Sequence, residues 1–458
     1  MNLFKSLLGL GLCLSIAEAT VAQTARNYNP IIPDLVADPS IVKFGDTFYC
    51  YATTDGYDKG LATSGPPVLW QSKDLVNWSF DGIFFPSAAK QLFWAPSYAQ
   101  KVGKDYFFYP TVNTHIYVAK ASSPKGPFKL VGEDTFEKGK APAPLVLMDG
   151  PKKTKGIDAE IFIDDDKTPY LFWAQRGAAK LKPNMTELDG DIQVIQTKRN
   201  GYSEGPIFFK RKGIYYYMYT LSGHEHYAYA YQYSKVSPFG PYEFPKEEII
   251  AKTDTTEKIY GPGHGNVFNI GDDYYFTYLE FGRSGTNRQV WINKMEFNED
   301  GTIKPVKLTN KGVNPLNVKD KGLKIEETSA SSTKPEYKVP HIYDATLKRT
   351  EYYNPANATD WSNGTRWMAD ANDSLATFTA KLSKSQTIKK VETYFVKPTA
   401  GHAYVLEGSQ DGKTWVKCGG HNDVQIKSPH TDILNKKFQY LRIKFLKGVA
   451  GIWEFKVQ

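Results

Sequence analysis

Short aromatic strands, each opened by a tight polar turn, recur along the chain between residues 45 and 278. They are Gly45-Asp-Thr-Phe-Tyr-Cys-Tyr51, Gly103-Lys-Asp-Tyr-Phe-Phe-Tyr109, Asp166-Lys-Thr-Pro-Tyr-Leu-Phe-Trp173, Gly213-Ile-Tyr-Tyr-Tyr-Met-Tyr219 and Gly271-Asp-Asp-Tyr-Tyr-Phe-Thr-Tyr278. Aligned on their last aromatic, they repeat at the spacing of a propeller blade, about 40–50 residues plus loops. A shorter apolar strand precedes each turn: Ser40-Ile-Val-Lys, Ser97-Tyr-Ala-Gln, Ile161-Phe-Ile, Ile207-Phe-Phe and Val267-Phe-Asn-Ile. Helical periodicity is scarce, so the fold class is all-β. Five turn-linked strand pairs at this spacing predict a five-bladed β-propeller, with an irregular sandwich as the competing architecture. Later strands share a second phrase, as in Trp70-Gln-Ser-Lys-Asp-Leu-Val-Asn-Trp78 and Tyr233-Ser-Lys-Val-Ser-Pro-Phe-Gly-Pro-Tyr242. Its Pro and Gly place turns on the rim, and Trp70 and Trp78 read as packing.

The aromatic repeat stops at about residue 320. A Ser, Thr and Lys-rich stretch follows from Glu326 to Lys334. Beyond it come Asn357-Ala-Thr-Asp-Trp-Ser-Asn-Gly-Thr-Arg-Trp367, Tyr404-Val-Leu-Glu-Gly-Ser-Gln-Asp-Gly-Lys-Thr-Trp415 and an alternating strand, Phe438 to Phe445. These predict a separate β-sandwich over 321–458 behind a propeller over 23–320. No long Pro or Gly/Ser linker separates them, so the two are expected to dock as one unit.

Residues 1–22 read as a signal peptide. Lys5 supplies the charge, Leu7 to Ile16 the apolar run, and Thr20-Val21-Ala22 the cleavage site before Gln23. Cys13 lies in a poor lipidation box, so a soluble secreted or periplasmic product is expected. Cys50 and Cys418 remain after cleavage and read as two buried free thiols. The formal charge of +8 is modest for 458 residues. No Lys/Arg block with interleaved aromatics points to nucleic acid, no later segment would insert into a membrane, and the chain is expected to act as a monomer. The 14% of aromatic residues serves strands and also offers flat faces to sugar rings.

Candidate chemistry sits just before each strand pair. Asp38, Trp94, Asp158, Glu204 and His264 stand 13 to 15 residues ahead of their aligned aromatics. Equivalent positions in a radial repeat converge on the axis. Three carboxylates there suit glycoside hydrolysis by inversion, in which one carboxylate deprotonates water and one carboxylic acid protonates the leaving oxygen. A third carboxylate beside the acid raises its pKa by like-charge repulsion. Glu160, on the same strand face as Asp158, is the alternative third member. The acidic run Asp164 to Asp166 reads as a solvated hairpin turn. His224-Glu225-His226 lacks a helix to fix metal-ligand spacing and reads as a surface or substrate-contacting loop.

From about residue 28 to 317 the chain resembles glycoside hydrolase family 43, which includes arabinanases, arabinofuranosidases, xylosidases and galactosidases. The resemblance is carried by Ala37-Asp38-Pro39-Ser40, Trp94-Ala95-Pro96, Asp158 ahead of the acidic turn, Ser203-Glu204-Gly205-Pro206 and Gly263-His264-Gly265. It implies Asp38 as general base, Glu204 as general acid and Asp158 as the carboxylate that positions and tunes the acid. It further implies Trp94 lining the sugar pocket and Arg288 contacting substrate. His264 would help hold a calcium or other ion through water. The implied enzyme is an inverting exo-glycosidase acting on oligo- or polysaccharide side chains, with α-L-arabinofuranosyl as the expected sugar. A β-xylosidase, a galactosidase or galactofuranosidase, and a non-catalytic carbohydrate-binding propeller are the alternatives. The C-terminal segment resembles the discoidin-like, galactose-binding-like sandwich through Gly364-Thr365-Arg366-Trp367 and Gly408-Ser409-Gln410-Asp411-Gly412 with Trp415. Ala376 to Leu382 departs from that pattern, which favours a bracing role with Trp367 in the core.

Overall fold

The computed structural model describes residues 27–33, 35–56, 60–199, 201–221, 226–280, 288–316, 322–339 and 349–458. The expected leader, the boundary near 320 and the pair His224-Glu225 lie outside the described residues. Five antiparallel units follow one another as blades of a propeller. The first pairs Val36–Phe44, Thr47–Gly56 and Leu69–Ser72. The second is split: one sheet runs Gln100–Val102, Asp105–Phe108, Ala119–Ala121 and Lys129–Leu130, and a smaller one carries Phe93–Trp94. The third and fourth are four-stranded, built around Pro169–Trp173 and Ile214–Thr220. The fifth holds Val267–Ile270, Asp273–Glu280 and Gln289–Met295.

The aromatic strands follow from burial on both faces. In Ile214–Thr220, Tyr216 and Met218 pack into a cluster with Phe276 and Trp291 of blade five. The alternate residues Tyr215, Tyr217 and Tyr219 pack with Phe172 and Phe208 on the other side. A strand sandwiched between two neighbouring blades has no solvent face, so the usual polar alternation is lost and large rings fill both sides. Each fully buried ring contributes roughly 1.5–3 kcal/mol.

The ring is closed by side chains as well as strands. Ile31 N donates to Val290 O (2.8 Å) and Val290 N to Ile32 O (3.1 Å), so a segment preceding blade one borders blade five. Asn266 in blade five clasps Ile41 of blade one: its Oδ1 accepts from Ile41 N (3.0 Å) and its Nδ2 donates to Ile41 O (2.8 Å).

The C-terminal sandwich is built on the long strands Thr377–Phe395 and His430–Lys447, flanked by His402–Ser409, Val416–Gln425 and Gly451–Val457. Its core holds Trp367, Phe378, Leu406, Leu441 and Phe455, which places Trp367 as expected. The sandwich is joined to blade one. Lys427–Ser428 pairs with Phe80–Asp81, Gly82 N donates to Ile426 O, and Lys456 Nζ donates to Asn77 Oδ1 at 2.8 Å.

Two local expectations change. Cys50 is buried but Cys418 is only half-buried, although both are free. Asp164 is not a solvated turn residue. It is buried, accepts from Lys210 Nζ (2.7 Å) and Tyr215 Oη (2.7 Å), and ties blade three to blade four. Asp165 and Asp166 remain exposed.

Candidate active site

The entrances to four blades share an unusual backbone. Asp38 (φ 51°), Ala95 (φ 33°), Asp158 (φ 62°) and Gly205 (φ 55°) are all left-handed. For a residue with a side chain this costs roughly 1–2 kcal/mol, and such strain collects at functional sites. Asp38 and Asp158 therefore occupy the repeat position itself, while Trp94 and Glu204 stand one residue earlier. Gly205 is required on two counts. Its φ disfavours a side chain, and a Cβ there would lie 2.8–2.9 Å from the His264 ring.

The carboxylates are held by hydrogen bonds from their own and from neighbouring blades. Asp38, 6% exposed, accepts from Thr53 Oγ1 at Oδ2 (2.6 Å) and from Arg288 Nη1 at Oδ1 (3.2 Å). Arg288 is fixed in turn by a bidentate pair to Asp55, with Nε to Oδ2 at 2.9 Å and Nη2 to Oδ1 at 2.6 Å. Asp158 Oδ2 accepts from Gly205 N (3.0 Å), and its own N donates to Thr111 Oγ1 (3.1 Å). Glu204 Oε2 accepts from Tyr202 Oη (2.7 Å), and Glu204 N donates to Thr220 Oγ1 (3.0 Å). His264 Nδ1 lies 3.7 Å from Asp38 Oδ1 and 3.6 Å from Asp158 Oδ2. Beneath it, Tyr229 Oη donates to Gly205 O (2.7 Å) and accepts from Gly265 N (3.3 Å).

Burial sets the proton affinities. Desolvation, helped by the Asp158 charge, pushes Glu204 up to about 7. Desolvation and the Asp38 charge push Asp158 up as well, while the Gly205 N–H and the Arg288 guanidinium favour its charged form. His264 is held below its usual value by burial, which favours neutral imidazole. A carboxyl that keeps its proton to neutrality can donate it to a leaving oxygen, and a second carboxylate held in fixed geometry can receive one from water.

The sequence-predicted residues fare unequally. Asp38, Asp158, Glu204 and His264 meet as expected. Arg288 joins them, buried and paired with Asp38 and Asp55. Trp94 is half-buried and pairs with Thr111. Its neighbour Ala95 donates its N–H to Thr53 Oγ1 (2.7 Å). Glu160 stands apart from the cluster, accepting from Phe208 N (3.4 Å) in the seam between blades three and four. Among the described residues no group of three or more His, Cys, Asp or Glu side chains is spaced to hold a metal ion. His264, beside Asp38 and Asp158, is the residue that would hold a water-bound ion at the axis. Thr53, Asp55, Thr111, Tyr202 and Thr220 are site residues that the sequence reading missed.

A five-bladed propeller with three carboxyl groups at its axis, Asp38 and Asp158 buried and Glu204 half-buried, the last poised to give up a proton near neutral pH, has the makings of an enzyme that hydrolyses glycosidic bonds. Comparison with known proteins agrees. The family model of glycosyl hydrolases family 43 matches residues 27–303, and that of the F5/8 type C domain matches residues 328–455. The chain is 30% identical over 320 residues to the β-D-galactofuranosidase xynD of Aspergillus niger, spanning 64% of this chain and 89% of that one. It is 28% identical over 360 residues to the arabinoxylan arabinofuranohydrolase of Bacillus subtilis, spanning 65% and 68% of the two chains. A solved structure described as a glycoside hydrolase is 53% identical, with a TM-score of 0.91 over 95% of this chain and 100% of that one. The chain belongs to glycosyl hydrolases family 43 and carries a discoidin-like C-terminal sandwich.

Proposed function

We propose that this glycosidase is an inverting, exo-acting furanosidase that removes terminal α-L-arabinofuranosyl residues from plant-type polysaccharide side chains. The observation that carries this reading is the axial cluster, in which Glu204 keeps its proton to about 7 while Arg288 and Thr53 fix Asp38. In the reaction Glu204 gives its proton to the glycosidic oxygen as the bond to the anomeric carbon breaks. Asp38 takes a proton from the water that attacks the opposite face. Asp158 keeps the Glu204 proton in place until then. Inversion requires the two carboxyl groups to stand far enough apart for that water to fit between Asp38 and the anomeric carbon, whereas in retention Asp38 would itself attack.

The two relatives described above are named for furanosides, which favours a five-membered ring. Galactofuranose exceeds arabinofuranose by one CHOH unit, and the xynD match spans nearly all of that protein. Terminal β-D-galactofuranosyl release is therefore the second reading. The enzyme acts outside the cytoplasm, secreted or periplasmic, as a monomer. A panel of nitrophenyl arabinofuranosides, galactofuranosides and xylosides, followed by branched polysaccharides, ranks the sugars. Time-resolved NMR of the first product anomer checks the mechanism, and initial release of the retained anomer would sink it.

A further inference from the structure

We propose that Tyr202 is a positioning residue that decides which oxygen of Glu204 carries the transferable proton. This rests on the reading of Glu204 as the general acid. Tyr202 stands two residues before Glu204, and its Oη donates to Oε2 over 2.7 Å. Burial and the adjacent Glu204 charge hold the Tyr202 phenol well above its ordinary value, so it keeps the hydrogen it donates to Oε2 throughout the working range. A protonated carboxyl offers one strong acceptor, its carbonyl oxygen. A phenol that always donates to Oε2 makes that atom the carbonyl and leaves Oε1 to carry the hydrogen.

The same bond acts during the reaction. When Oε1 releases its proton to the glycosidic oxygen, the breaking C–O pair stays on that oxygen and negative charge appears on Glu204. A neutral hydrogen bond becomes a charge-assisted one, which is stronger, so the Tyr202 contact favours the transition state over the ground state. Asp158, Asp38 and His264 face Glu204 from the other blades; Asp158 and Asp38 oppose the developing charge, whereas Tyr202 relieves it.

The loop that carries Tyr202 is built to hold it. Arg176 Nη2 donates to Arg199 O (2.9 Å) and Gly201 O (2.6 Å), and its Nε donates to Thr197 Oγ1 (2.7 Å). Gln175 N donates to Ser203 O (2.8 Å). Backbone on both sides of Tyr202 is thus tied to blade three.

The test is Tyr202→Phe, which keeps the ring at a half-exposed position (47%), with melting temperature as the check on folding. Losing a hydrogen bond to a group that becomes charged should lower kcat roughly 10- to 100-fold on glycosides with poor leaving groups. The loss should be smaller on nitrophenyl glycosides, with KM little changed. The donated bond favours ionised Glu204, so its removal should move the alkaline limb of the kcat profile to higher pH. Equal losses on both substrate classes with an unmoved limb, or a change confined to KM, would overturn the proposal. Glu204→Gln separates this failure from that of the acid assignment. If Glu204→Gln discriminates between leaving groups and Tyr202→Phe does not, only the Tyr202 role fails. If Glu204→Gln does not discriminate either, the acid assignment fails with it. Combining the two substitutions should cost no more than Glu204→Gln alone.

Discussion

The hydroxyl of Thr53 donates to Oδ2 of Asp38 over 2.6 Å, and its own Oγ1 accepts the N–H of Ala95 at 2.7 Å. One side chain in the second strand of blade one thus orients a carboxylate in the first strand and pins the entrance of blade two. Thr53→Val keeps the shape and removes both bonds. Misplacing a reacting group by about 1 Å can cost about 100-fold, so kcat should fall roughly 10- to 100-fold while KM changes little. Steady-state kinetics beside a melting curve would show it, and unchanged kcat would mean that Arg288 alone suffices to hold Asp38.

Asp38→Asn and Glu204→Gln should each lower turnover by about 10²–10⁴-fold without loss of fold, judged by near-ultraviolet circular dichroism. Near-normal rates for both would remove the acid and base assignments.

Turnover in the wild type should fall as pH rises through about 7, where Glu204 loses its proton. The Asp158 charge contributes to holding that proton on. Asp158→Asn removes it, so Glu204 ionises earlier and the alkaline limb should move to lower pH. Substrates with good leaving groups should suffer least. An unchanged limb with equal losses would mean that Asp158 serves only as a contact.

A chain ending at residue 316 loses the strand pair Lys427–Ser428 with Phe80–Asp81 and uncovers the apolar cluster of blade one against which Ile426 packs. Scanning calorimetry should find it less stable than the full chain, by about 2–4 °C for each kcal/mol of interface lost. Equal melting temperature and activity would make the sandwich an independent module.

In the sandwich, His402 and His430 are buried, and His421 Nε2 meets His430 Nδ1 at 2.8 Å. Burial lowers His402 to about 4 and His430 to about 3. The unfolded chain takes up protons near 6.5, so stability is full above that value and is lost as pH falls from 6.5 toward 4. His430→Phe should shrink the difference in melting temperature between pH 7 and pH 5. An unaltered difference would place the acid sensitivity elsewhere.

Much of the site was legible because it repeats. Asp38, Asp158, Glu204 and His264 precede their blades at nearly constant distance, and a radial fold turns that regularity into convergence. Thr53 and Asp55 were not legible, since within a single strand they read as β-branched filler and a turn acid. Their meaning arises only when Arg288 arrives from blade five and Ala95 from blade two. A signal did exist: Thr53 and Thr111 each stand two residues after an aligned aromatic, and each bonds the N–H at the entrance of the next blade. Trp94 follows from the repeat and Arg288 only from the family resemblance, and the details of their contacts depend on side-chain direction, which spacing does not encode.

Arg288 reaches Asp38 across 250 positions of chain, and the Asn266 clasp on Ile41 spans 225. The group that would receive a proton from water is made early in synthesis, whereas the cation that aims it is among the last parts of the propeller to leave the ribosome. A nascent chain holding four blades has every carboxyl group of the cluster yet lacks its orienting partner. Hydrolytic activity is therefore a gauge of ring closure, and newly made enzyme stays inert until its two ends have met.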